Sequence, residues 1–233
     1  MDGILPVYKP VGMTSFDVIR AFKRTVVPDY KIGHGGTLDP FAEGLLLLLL
    51  GKATKQMNTL MALPKTYQAM AVLGARSDTL DRTGKIEQCG GVIVSQNQIE
   101  VVAKDFVGEI EQKIPEYSAA KVNGVPRYKL AREGKVQVQK SKLVTIYNLE
   151  IINSNYLNNR SIVEFEATVS SGTYIRQLSY DLFRTLGVES YLETLMRTQI
   201  GNYTMGNCAQ VTDFETEEWK GKVKLLLLPV RDE

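Results

Sequence analysis

Residues 45–50 are six consecutive leucines, bracketed by Gly44 and Gly51. A run with no polar side chain has to be covered on all sides. Periodicity alone does not separate a buried strand from a buried helix here, but six residues between two glycines is strand length. The reading is therefore a strand buried on both faces. The chain enters it through His34-Gly-Gly-Thr-Leu-Asp39-Pro40-Phe-Ala-Glu-Gly44, which holds the only histidine. Asp39 reads locally in two ways. It is a helix N-cap with Pro40 in the first helical position, or it is a carboxylate held rigid at the rim of a site. The two roles are compatible, and both stand at this level.

The remaining elements follow from pattern. Gly3 to Val7 reads as a first strand. Ser15 caps a helix to about Val27 with Ile19, Phe22 and Val26 on one face. Residues 53–62 read as a helix and Thr66 to Gly74 as a strand. Ser95 and Gln98 have capping-box spacing ahead of Ile99, Val102, Ala103 and Phe106, with Gly108 as a stop. Residues 136–152 read as a long strand or hairpin. In 161–169, Val163, Phe165, Ala167 and Val169 alternate with Glu164, Glu166 and Thr168. Thr173 to Leu186 is an amphipathic helix closed by Gly187. Strands and helices mix without strict βαβ alternation, so the fold class is α+β with a mixed, largely antiparallel central sheet flanked by helices. Length fits a single domain over 1–233, with an insertion at about 110–145.

Composition excludes several classes. The net charge of +2 demands no polyanionic partner for the chain as a whole. The longest apolar run is far short of the ~20 residues of a membrane span, and the N-terminus lacks a signal-peptide pattern. Cys89 and Cys208 stand apart and read as free thiols of a reducing cytoplasm. One histidine and two scattered cysteines make no zinc pattern. Gly44 to Thr54 departs from a phosphate-binding loop in spacing and in the residue after Lys52. His34-Gly35-Gly36 lacks the nucleophile elbow that an esterase requires.

One local feature suits nucleic acid. Residues 110–145 carry eight basic side chains against three acidic ones, a surplus of five in a chain whose total is +2. Tyr117, Tyr128 and the turn at Asn123-Gly124 are interleaved with them. Lysines and arginines mixed with aromatics suit a phosphate backbone and unstacked bases, although a solvated face has the same composition. Separately, Arg176 follows Ser171-Gly-Thr-Tyr-Ile at the start of a helix, where the dipole opposes a cation. Pairing with a carboxylate would explain its place, and a working carboxylate needs such a cation to stay ionised.

The chain resembles the TruB-type tRNA pseudouridine synthases. Tyr8 to Ser15 resembles their KPxGxTS motif, and Gly33 to Gly44 the catalytic loop GHxGTLDPxAxG. Lys65 to Gly74 resembles the KxY strand, and Arg76 to Gly84 the RTDTxDxxG segment. Pro115 to Gly134 resembles the T-loop-docking insertion, Ser171 to Arg176 the KGTYIR motif, and Leu195 to Thr198 the LRRT motif. These motifs occur in family order across nearly the whole chain.

The resemblance implies an isomerase that breaks the N1–C1′ bond of a tRNA T-loop uridine, turns the base and rejoins it through C5, with no cofactor and no metal. It implies Asp39 as the catalytic carboxylate and Arg176 as its ion-pair partner. Tyr67 would stack on the flipped uracil and serve proton transfer, with Leu195 packed on its other side. His34, Lys9, Tyr174, Tyr128, Arg127, Lys121 and Arg197 would bind the substrate or brace the loop. The partner would be the T-arm of tRNA, met by a cytoplasmic monomer away from any membrane. Tyr8 stands where the family usually has Asp, and Met196 replaces the first Arg of LRRT. Bacterial members usually carry a small C-terminal PUA domain, for which this chain leaves no room, so a catalytic domain alone is expected. Two other classes remain to be weighed: an RNA-binding module without catalysis, and the catalytic subunit of a guide-RNA complex.

Overall fold

The structure is a computed structural model that describes residues 1–26, 29–90, 93–135, 138–157, 160–216 and 218–229. In chain order the first elements are β1 (Gly3–Lys9), α1 (Ser15–Val26), β2 (Ile32–His34), β3 (Glu43–Leu50), a 3-10 turn over Gly51–Gln56 and α2 (Met57–Ala62). Next come β4 (Lys65–Leu73), β5 (Ala75–Ser77), β6 (Ile86–Gln88), α3 (Gln96–Asp105) and β7 (Gly108–Lys113). Then follow β8 (Lys121–Val122), β9 (Val125–Pro126), α4 (Arg127–Arg132), β10 (Ser141–Leu157), β11 (Arg160–Val169) and α5 (Ile175–Thr185). The last are β12 (Ser190–Ile200), β13 (Tyr203–Thr204), β14 (Ala209–Gln210) and α6 (Trp219–Leu226), with 3-10 turns between them. This is the α+β class read from the sequence, with mostly antiparallel pairing: β1 and β2 on β3, β10 on β7 and β11, and β12 on β13. Only β1–β14 and β12–β3 run parallel among these ladders. No helix among the described residues is long and apolar enough to cross a membrane.

The chain forms two compact units, Met1–Tyr67 with Leu195–Glu233, and Gln68–Thr194. Strands β4 and β12 each pass from one unit into the other.

The first unit is organised by the leucine run. Strand β3 pairs along its length with β1, from Gly3↔Leu50 to Lys9↔Gly44. Its other edge is shared by β2, at Leu48 to Leu50, and by β12, at Glu43 and Gly44. All six leucines are completely buried. Alternation then sends them to two different cores. Leu46, Leu48 and Leu50 pack with Leu5, Val7, Val18, Ile19, Phe22 and Phe214, while Leu45, Leu47 and Leu49 pack with Ile4, Ala53, Leu60 and Ile200. Phe22 meets Phe214 edge to face at 5.1 Å. Helix α1 is capped by Thr14 rather than Ser15: the Thr14 hydroxyl accepts from Asp17 N (3.1 Å) while Asp17 Oδ2 accepts from Thr14 N (2.9 Å). The expected end at Val27 lies outside the described residues. The segment expected as a helix over 53–62 opens as the 3-10 turn and becomes α-helical only at Met57.

The second unit holds β4, β11, β10 and β7 side by side in that order. Strand β11 buries Ser161, Val163, Phe165, Ala167 and Val169 in strict alternation, as its pattern predicts. Helix α3 has the full capping box, with Ser95 Oγ accepting from Gln98 N and Gln98 Oε1 accepting from Ser95 N. Its buried residues are Ile99 and Ala103, and the helix packs on β10. The stretch expected as one strand or a hairpin from 136 is the long β10 from Ser141; residues 136 and 137 lie outside the described residues. The expected insertion falls wholly in this unit. Its hairpin β8–β9 turns on Asn123 and Gly124, both at positive φ (50° and 82°), the backbone that a two-residue type I′ hairpin requires.

Candidate active site

Asp39 is not a helix cap. No helix follows it: the chain makes a β-turn in which Ala42 N donates to Asp39 O at 3.1 Å, and strand β3 begins at Glu43. Pro40 therefore presets φ at the second position of a turn rather than opening a helix. The cap reading fails because the leucine run is strand, and its entry needs a turn.

That turn is held through its own backbone. The carbonyls of Gly36, Thr37, Leu38, Asp39, Pro40 and Ala42 each accept a hydrogen bond. Arg197 supplies two of these, Nη2 to Gly36 O (3.1 Å) and Nη1 to Thr37 O (3.4 Å), and its Nε reaches Leu45 O (2.8 Å) beyond the turn. Lys9 Nζ donates to Ala42 O (2.5 Å), Met13 O (2.7 Å) and Pro10 O (2.9 Å). Gly12 N donates to Pro40 O at 2.8 Å. Ser15 Oγ accepts from Leu38 N (2.9 Å) and lies 3.4 Å from Leu38 O. Ser15, expected as a helix cap, is thus a buried clamp on the residue before Asp39. Its place at the end of the TS motif is the signal that could have found it.

Electrostatics follow from burial. Lys9 is fully buried. Desolvation pushes its ammonium down to about 8, against the pull of Asp39 and with the repulsion of Arg197. Lys65 Nζ donates to Leu63 O (2.6 Å) and Met61 O, and burial together with Arg197 brings it to about 8 as well. His34 ends β2 opposite Leu48. Its imidazole is held below its ordinary range, first by burial and then by Arg197, so it is neutral at pH 7, and its Nδ1 makes no hydrogen bond. Tyr8, the departure from the family's Asp, donates from Oη to Glu43 Oε2 at 2.6 Å. Burial and that carboxylate push its phenol up to about 12. Tyr67 and Leu195 are both buried in this unit.

In the second unit, Arg176 is the second residue of α5 and nearly buried. Its Nη1 donates to Thr79 O (2.7 Å) and lies 3.3 Å from Asp81 Oδ2, and its Nη2 donates to Tyr117 O (2.9 Å). Asp81 Oδ1 in turn accepts from Thr79 Oγ1 (2.8 Å) and Thr83 N (2.9 Å). Asp81 is a buried partner that the sequence reading did not single out, although it lies in the RTDTxDxxG-like segment. Tyr174 N donates to Gln112 Oε1 at 2.8 Å, and Lys142 Nζ stands 4.5 Å over the Tyr174 ring. Within the insertion Lys121 is exposed and Tyr128 half-buried. Arg127 is 1% exposed and donates to Pro115 O (3.3 Å) and Val138 O (3.1 Å). Arg127 and Arg197 were expected toward RNA; in both, the guanidinium is turned inward onto backbone carbonyls.

Residues 23–175 match the model of the TruB family pseudouridylate synthase N-terminal domain. A protein of Clostridium acetobutylicum named tRNA pseudouridine synthase B is 43% identical over 203 residues, which are 87% of this chain and 68% of that one. The protein of the same name from Dehalococcoides mccartyi is 39% identical over 99% of this chain and 75% of its own length. Among solved structures, a chain of a Cbf5-Nop10-Gar1 complex superposes with a TM-score of 0.74 at 27% identity, covering 97% of this chain and 60% of its own. A chain of an H/ACA ribonucleoprotein bound to a substrate RNA containing 2′-deoxyuridine gives 0.72 at 25% identity, over 59% of its length. The motif order, the backbone-clamped Asp39 turn and these likenesses agree: the chain belongs to the TruB family of pseudouridylate synthases, enzymes that isomerise uridine of tRNA to pseudouridine.

Proposed function

We propose that this chain isomerises the T-loop uridine of tRNA, with Asp39 as the reacting carboxylate. The observation that carries the reading is the backbone-clamped turn: a carboxylate whose neighbouring backbone is bonded to Arg197, Ser15, Gly12 and Lys9 is preorganised. Asp39 acts on the sugar or base as nucleophile or base while the N1–C1′ bond breaks and the C5–C1′ bond forms. The pairing of Arg176 with Asp39 is part of the proposal and rests on the motif order. Tyr67 and Leu195 flank the extruded uracil, because a base inside a folded loop does not react until it leaves the stack. His34, neutral and at the loop's edge, stacks in the RNA. The exposed Lys121, with Tyr128 and Tyr174, meets the T-arm, while Lys9, Arg127 and Arg197 serve from inside. The enzyme works as a cytoplasmic monomer on free tRNA.

The test is pseudouridine mapping on an unmodified tRNA transcript. Wild type yields product in the T-loop. Asp39→Asn loses at least about 10²–10⁴-fold in rate, the contribution typical of a positioned acid–base group, with tRNA binding retained. Absence of T-loop product at every salt concentration would overturn the reading and leave an RNA-binding module. Activity only on addition of partner proteins would favour the guide-RNA alternative.

A further inference from the structure

We propose that Arg197 is a positioning residue that sets the Asp39 turn from within and does not touch RNA. The proposal rests on Asp39 being the reacting carboxylate. Strand β12 lies parallel to the start of β3, with Arg197 opposite Gly44 and Met196 opposite Glu43. From there the side chain runs under the turn and bonds three carbonyls: Gly36 and Thr37 before Asp39, and Leu45 after it. One planar fork thus ties together both limbs of the loop that carries the carboxylate. A lysine carries its donors on one nitrogen and does not reproduce the spread of that fork. At 1% exposure the guanidinium has no surface left for a phosphate or a base edge.

The glycines of the loop match this arrangement. Gly44 sits at φ +106, and a Cβ there would meet Arg197 O at 2.3 Å and Arg197 N at 2.8 Å. Gly36 sits at φ +124, and the heavy atom nearest to an added Cβ is Arg197 Nη1 at 3.7 Å. Both are backbone conformations that side chains resist, and both bring the loop down onto the same arginine. Lys9, His34 and Lys65 each have their proton affinity lowered in part by its charge, and Lys9 is also a support of the same loop through Ala42 O.

The experiment uses the full chain with Arg197→Lys and Arg197→Gln, measuring single-turnover rate and tRNA Kd separately and following His34, the sole histidine, by NMR titration. The expected result is a rate loss of about 10²-fold in both variants, the scale of a small misplacement of a reacting group, with Kd within about twofold of wild type. In Arg197→Gln, His34 titrates at higher pH than in wild type; in Arg197→Lys it does not move as far. A fall in tRNA affinity with the bound rate preserved would overturn the proposal and make Arg197 an RNA-binding residue. A lower Tm with the rate of the folded fraction unchanged would also overturn it. If Arg197→Gln fails to fold, Arg197→Lys decides by its rate and Kd alone. If Asp39→Asn proves fully active, the catalytic reading fails, and amide exchange at residues 36–42 in the Arg197 variants still decides whether the loop depends on this side chain.

Discussion

The Asp39 turn and residues 110–145, the segment expected as an insertion, are built on opposite plans. The turn is short, and its backbone is bonded by buried groups: Arg197, Lys9 and Ser15. The insertion spreads Lys113, Lys121, Lys129, Arg132, Lys135 and Lys140 over an exposed surface and keeps Arg127 inside. Its ordering comes from a two-residue turn, one short helix and the bonds of Arg127 to Pro115 and Val138. Buried cations on carbonyls give rigidity at the cost of desolvation. Exposed cations give attraction that salt screens. Chemistry at a carboxylate needs the first, and docking a polyanion needs the second.

Mutations break or sharpen that contrast, beginning with the largest effect. Gly44→Ala in the turn forces a side chain into the left-handed region and onto the Arg197 backbone, at an expected cost of about 3–5 kcal/mol. Urea unfolding and a single-turnover assay check it, and both stability and rate should fall. Arg127→Met in the insertion leaves two carbonyls without that donor and should cost about 2–4 kcal/mol locally. Here limited proteolysis should open residues 110–145 and tRNA KM should rise while kcat changes little. If kcat collapses instead, the two loops are not functionally separate.

Charge reversal at Lys121 and Lys129, both exposed, should weaken tRNA binding at low salt. The slope of log K against log[salt] should become shallower by about 1 for each phosphate no longer neutralised. An unchanged slope would move the docking surface elsewhere. The smallest effect is a pH dependence of stability. Lys9 and Lys65 titrate near 8 in the folded chain against an ordinary 10.5. Between those values the unfolded chain binds more protons, so their contribution to stability rises with pH. Wild type should therefore gain stability relative to Lys65→Met between pH 7 and 9.5 in urea unfolding; a constant difference would show that Lys65 is not depressed.

Much of the fold is legible because it depends on local pattern. The leucine run has no polar side and so had to be buried all round, and its length between two glycines favoured a strand. The alternation in β11 and the Ser95 capping box each name their own structure. Asn123-Gly124 names its turn because few residues tolerate positive φ. Less legible are side chains that act at a distance. Thr14 and Ser15 are adjacent, and which one caps α1 depends on whether Leu38 arrives to claim the Ser15 hydroxyl. Asp39-Pro40 suits a helix start and a β-turn equally, and the choice falls to what the next eight residues become.

By itself, the sequence determined the α+β class, the buried strand, the motif order that marks the family and the candidate carboxylate. Those are matters of local propensity, hydrophobic period and residue identity. Only the tertiary structure decided that the carboxylate sits on a β-turn, that Asp81 stands beside Arg176, and that Arg197 and Arg127 point inward. A guanidinium reaches several ångströms and goes wherever neighbouring strands leave carbonyls without partners. The location of those carbonyls follows from strand pairing, such as Arg197 opposite Gly44, between residues far apart in the chain.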